Sequence, residues 1–91
     1  MTKKYRSRIQ IYADILAELE HGEASITQLL YRANLSHTRL VKYLNNLIES
    51  GLVRRVESEG SIRYVLTSKG LEFLREYRKF IKFAKAFGIE V

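Results

Sequence analysis

Residues 25–52, SITQLLYRANLSHTRLVKYLNNLIESGL, constrain the fold more than any other stretch, because they spell two amphipathic helices separated by a very short break. Ser25 followed by Gln28 makes a capping box, which satisfies free N–H groups at a helix start and sets a first turn near Ile26. Ile26, Leu29, Leu30 and Ala33 then fall at helical spacing. The run stops at Asn34-Leu35-Ser36, where Asn accommodates a turn and Ser36 can cap a second helix. In that second helix Leu40, Leu44, Leu47 and Ile48 form one buried stripe, while Thr38, Arg39, Lys42, Tyr43, Asn45 and Asn46 lie away from its centre. Gly51 stands where a residue of positive φ ends a helix, so a strand is expected next. A break of about three residues between such helices is the length of a helix-turn-helix.

The outward residues of the second helix are the hydrogen-bonding and cationic types that read base edges and phosphates. Charge agrees with that reading: the chain carries +6 and a pI of about 9.8, an excess that attracts a polyanion. The first eight residues hold Lys3, Lys4, Arg6 and Arg8 and no acid, whereas Asp14, Glu18, Glu20 and Glu23 crowd the following segment. Base therefore sits on an N-terminal arm, on the second helix of the motif and on the C-terminal helix. The arm is either a solubilising tail or a strap along phosphates. Nucleic acid is favoured over a membrane surface, which would call for a single helix with a broad basic face.

At 91 residues the chain makes one small domain, burying only about 60% of its unfolded surface, so a partner subunit is a natural addition to its core. With no Cys and two isolated His, neither a disulfide nor a metal site is expected, and no cofactor. No leader and no bilayer-spanning run are visible, which points to the cytoplasm, beside the nucleoid. Glu18, Glu20, His21 and Glu23 place carboxylates near an imidazole, but general acid/base work needs a pocket and shifted pKa values, so a solvated helix end is expected.

Before the motif, Ile9, Ile11, Tyr12, Ala13, Ile15, Leu16 and Leu19 make a wide apolar face over about residues 7–20, a scaffold helix. After it, residues 52–57 and 62–66 read as two strands of a hairpin with a polar, Gly-containing loop. Ile62, Tyr64 and Leu66 alternate cleanly. Val53 and Val56 have opposite parity, so the faces of the first strand stay open, with a bulge or a short strand as explanations. Arg54, Arg55 and Arg63 are candidate phosphate contacts, opposed by Glu57 and Glu59. Thr67 can cap a last helix over about residues 68–87, in which Phe73, Tyr77, Phe80, Ala84 and Phe87 recur as a heptad seam widened by Ile81 and Phe83. That seam is either a dimer interface or a surface folded back over the first helix.

The order of helix, short helix, turn, longer helix, hairpin and helix resembles a winged-helix DNA-binding domain. SHTRLVKYLNNLIESGLVRR followed by RYVLTSKGLEFL is similar to archaeal winged-helix regulators and to small archaeal chromatin-associated proteins. The resemblance implies a mainly α fold with a small β-hairpin, an α+β winged helix-turn-helix whose long C-terminal helix dimerises. The chain is then expected to divide into a basic arm over residues 1–6, a winged domain over 7–67 and a dimerisation helix with its tail over 68–91. Carried onto this chain, it makes Ser36, His37, Thr38, Arg39, Lys42, Tyr43 and Asn46 the major-groove contacts, with Arg39 on guanine, Lys42 on phosphate and Asn46 on adenine. Lys3 and Lys4 of the arm and the arginines of the hairpin, acting as a wing, would add to them.

The function expected is sequence-specific binding of double-stranded DNA by a homodimer that regulates transcription, without catalysis. A chromatin-type coat with little sequence preference and a protein-binding module are the alternatives. The aromatic dimer interface also leaves room for a small-molecule effector.

Overall fold

A computed structural model describes residues 6–90; Lys3 and Lys4 lie outside the described residues. The element order is α1 (Arg8–Leu19), α2 (Ile26–Ala33), α3 (His37–Glu49), β1 (Val53–Ser58), β2 (Ser61–Leu66) and α4 (Ser68–Ala86). Each helix begins where a hydroxyl can take an orphan N–H: Ser7 and Ser25 form full capping boxes with Gln10 and Gln28, and Ser36 and Thr67 accept from the backbone of Arg39 and Gly70. Asn34 closes α2 in the left-handed conformation at φ 53°, and Leu35 tucks into the core behind it. Among the described residues no helix is long and apolar enough to cross a membrane.

One core joins all the elements. Ile11, Ile15 and Leu16 of α1 meet Leu29 of α2, Leu40, Leu44 and Leu47 of α3, Val53 and Tyr64 of the hairpin and Leu74 of α4. The hairpin pairs Val53 with Leu66 through Ser58 with Ser61 in an unbroken antiparallel register. There is no bulge. Val56 lies instead on the outer face, opposite Arg63, while Val53 and Tyr64 point to the core. Glu59 and Gly60 turn the chain at φ 51° and 76°, the pair of positive values that a two-residue hairpin loop requires. Ala24 adds a single antiparallel bridge on the far edge of β2, exchanging both backbone hydrogen bonds with Tyr64 at 3.1 and 2.8 Å.

The start of α4 is locked to the end of α3. Thr67 Oγ1 donates to the Gly51 carbonyl at 2.6 Å and accepts from Gly70 N at 3.0 Å, Thr67 N donates to the Leu52 carbonyl at 3.2 Å, and Lys69 Nζ donates to the Ser50 carbonyl at 3.0 Å. Gly70 is what allows this approach: a Cβ there would stand 2.1 Å from the Leu52 carbonyl oxygen. Further along, Arg78 of α4 grips Glu20 at the end of α1 through two hydrogen bonds of 3.1 and 2.8 Å. The hydrogen bond from Arg78 holds the Glu20 carboxyl below its usual range, and Glu20 raises the Arg78 pKa in turn.

Ala is the better helix former by about 1 kcal/mol, yet Gly70→Ala is expected to destabilise the domain by about 2 kcal/mol, since the new methyl meets backbone rather than a movable side chain. Urea unfolding would measure it. Because the Glu20 carboxyl is lowered in the fold, its contribution is present above the ordinary carboxylate pKa and disappears as pH falls through the folded value. Glu20→Gln should therefore melt slightly below wild type at neutral pH, and the gap should close in acid; both ends of the pair are partly exposed, so the gap is small.

Candidate nucleic-acid interface

The outward side of α3 follows from its buried one. With Leu40, Leu44 and Leu47 at or below 1% exposure, the helical period turns Thr38, Lys42, Asn45 and Glu49 to solvent. Ser36, His37 and Arg39 at the helix start are exposed as well, so its first two turns offer a hydroxyl, an imidazole, a guanidinium and an ammonium together. Arg39 and Lys42 are not packed beneath any other part of the molecule.

The next strip round the helix is different. Tyr43 is half-buried, its ring set edge-on to Tyr12 of α1 with centroids 5.6 Å apart and an interplanar angle of 81°. The Arg39 guanidinium lies 5.7 Å from the Tyr43 ring centroid, and its Nη2 makes a long, 3.5 Å hydrogen bond to the Tyr43 hydroxyl. That bond, and the charges of Arg39, Lys42 and Arg8, lower the Tyr43 pKa. Arg8, at the first turn of α1, thus shares one cationic neighbourhood with the start of α3. Asn46 is turned inward: its Nδ2 donates to the Tyr12 hydroxyl at 3.1 Å. The exposed amide on the outer strip is Asn45.

The acids of the first part of the chain are largely occupied in holding helices together. Arg6 donates to Asp14 at 2.7 Å and to the Ala33 and Asn34 carbonyls at 3.0 and 3.4 Å, so it ties α1 to the end of α2. Glu18 faces Arg32 at 3.9 Å and Glu20 holds Arg78. Among the described residues no cluster of His, Asp or Glu could hold a metal ion. On the hairpin, strand parity puts Arg54 and Arg63 on the outer face with Val56 and Val65, and Arg55 on the other, where it pairs with Glu57 at 3.7 Å.

A family model described as a winged helix-turn-helix matches residues 5–85. The chain belongs to the winged helix-turn-helix family. Among solved structures, this winged-helix chain superimposes on Sso10a-2, a DNA-binding protein from Sulfolobus solfataricus, with a TM-score of 0.79 and 26% identity, covering 90% of this chain and 85% of that one. A PadR family transcription regulator from Clostridium difficile matches at 0.75 and 20% identity, over 85% of this chain and 92% of the other. Sco5413, a MarR family regulator from Streptomyces coelicolor, matches at 0.74 and 21%, over 81% of this chain and 54% of its own length. No curated protein matches. The fold is thus shared with a DNA-binding protein and with regulators of the PadR and MarR families.

The winged-helix α4 divides its apolar residues between two faces. Phe73 and Tyr77 are half-buried against the domain core, Ile81 is half-buried, and Ala84 is buried where the chain turns back at Gly88. The exposed apolar surface lies one position round, on Phe80, Phe83 and Phe87 with Ile89 beyond them, each more than half exposed. Phe83 and Phe87 touch, with ring centroids 4.9 Å apart. Periodicity alone turns Asn45 outward, puts Arg8 on the basic arm and sets Phe83 at the margin of the seam, but gives none of the three a specific contact. What the sequence does not separate is Asn45 from Asn46, and nothing in it places Arg8 beside α3.

Proposed function

We propose that this chain is a homodimeric, sequence-specific double-stranded DNA-binding protein that regulates transcription beside the nucleoid, with no catalytic role. The observation that carries the reading is the start of α3, where Ser36, His37, Thr38, Arg39 and Lys42 are exposed on a helix whose opposite side is sealed into the core. A helix so mounted can enter the major groove, with Arg39 placed for a bidentate guanine contact and Lys42 for phosphate. Asn45 replaces Asn46 as the amide free for a base edge. Arg8 from α1 and Arg54 and Arg63 from the hairpin supply phosphate contacts at the flanks.

The exposed Phe80, Phe83 and Phe87 support self-association through α4, since aromatic side chains at that spacing are unfavourable in water and are covered when two such helices pair. A two-fold pair would present two copies of α3 to half-sites about 34 Å apart. A second reading, a DNA coat with little sequence preference, is supported by the likeness to Sso10a-2, which is described simply as a DNA-binding protein.

Selection of bound duplexes from a random pool tests the first reading against the second: an enriched motif upholds the regulator and its absence upholds the coat. Affinity should fall steeply with salt, and a flat response would sink both. Arg39→Ala is expected to cost about 1–3 kcal/mol at one base position and leave the oligomeric state alone. Phe80→Asp should yield monomers by sedimentation and weaken DNA binding with them; an intact dimer in that variant would remove α4 from the interface.

A further inference from the structure

Tyr12 belongs to the scaffold helix, yet among the described residues its polar and aromatic contacts run to α3. Its ring meets the edge of Tyr43, and its hydroxyl accepts from Asn46, one turn further along the same helix. Tyr43 is therefore held by a ring fixed at both ends, and the Arg39 guanidinium rests against the Tyr43 ring and hydroxyl. No acidic side chain among the described residues pairs with Arg39.

We infer that Tyr12 is a positioning residue for base reading, setting the Arg39 side chain through Tyr43 before DNA arrives. This rests on the reading of α3 as the groove-entering helix. The physical reason is that an arginine carries a large rotamer entropy, and a guanine contact demands its planar fork in one orientation, whereas a phosphate accepts it in many. An aromatic platform removes part of that entropy in the free protein, so the ordering cost on meeting guanine is reduced. Attraction to random duplex needs only the charge, which Tyr12 does not change. The arrangement therefore acts on discrimination and leaves the electrostatic affinity as it is. It also accounts for the inward turn of Asn46, whose amide serves the positioning of Tyr12.

Two measurements on the full chain separate this inference from the function it rests on. In DNA-free protein, the ¹⁵N order parameter of the Arg39 Nε–H group should fall in Tyr12→Leu and less so in Tyr12→Phe, which keeps the ring and loses the hydroxyl. With duplex DNA, the ratio of affinities for the selected sequence and a scrambled one should drop about fivefold in Tyr12→Leu, the scale of one side chain immobilised on binding, with an unchanged salt slope. In an Arg39→Ala background the same Tyr12 substitution should do nothing further to that ratio. Should Tyr12→Leu fail to fold, Tyr12→Phe carries the test. Unchanged Arg39 order overturns the inference, as does an undiminished effect of Tyr12→Leu in the Arg39→Ala background. A wild-type protein that selects no sequence sinks the proposed function and the base-reading role with it, while the order parameter still decides whether Tyr12 holds Arg39.

Discussion

The carbonyl groups of Ser50, Gly51 and Leu52 and the first turn of α4 form the junction on which the other parts of the molecule depend. Three successive acceptors left at the end of α3 and the start of β1 are taken up by Lys69, by Thr67 through its hydroxyl and by Thr67 through its backbone N–H. Because Thr67 also caps α4, one residue closes the hairpin, starts the last helix and satisfies the end of the helix before the hairpin. Unpaired polar backbone at such a crossing would be costly, so the satisfied junction fixes the angle between α3, the hairpin and α4. Gly70 completes it by letting α4 lie against backbone with no side chain between.

Charge is divided along the same lines. The carboxylates of α1 and its C-terminal end serve as struts: Asp14 to Arg6, Glu18 to Arg32, Glu20 to Arg78. Each draws an arginine toward the body of the domain, and the cations left facing solvent without such partners include Arg39 and Lys42 on α3. Exposed ion pairs of this kind add little stability individually. Their effect is geometric: Arg6 and Arg78 each join elements distant in sequence, and α1 becomes the beam against which α2, α3 and α4 are all registered.

That beam also reaches the candidate interface. The scaffold helix supplies Arg8 to the cationic neighbourhood at the start of α3 and Tyr12 to the ring that supports Tyr43. A surface for nucleic acid built on one helix alone would leave its long side chains to solvent disorder. Here a second helix packs on Tyr43, against which the Arg39 guanidinium rests, so the exposed start of α3 is backed by α1.

Much of this was legible in the residues because it depends on neighbours close in sequence. The capping hydroxyls at Ser25, Ser36 and Thr67, the turn at Asn34, the helix end at Gly51 and the apolar stripe of α3 are all short-range matters, and the winged-helix order followed from them. What the sequence left open is decided by which neighbour an element meets. Val56 has strand character on either face, and only pairing with β2 turned it outward. Asn45 and Asn46 are adjacent and chemically alike, but a helix rotates about 100° per residue, so α1 engages one amide and leaves the other exposed. On α4 Phe73, Phe80 and Phe87 recur every seven residues along one stripe, and packing against the domain covered Phe73 and Tyr77 near its start, leaving Phe80, Phe83 and Phe87 outside. Periodicity along a chain states which residues share a face; the direction that face looks is set by the tertiary structure, because it depends on which other surfaces are available to cover it.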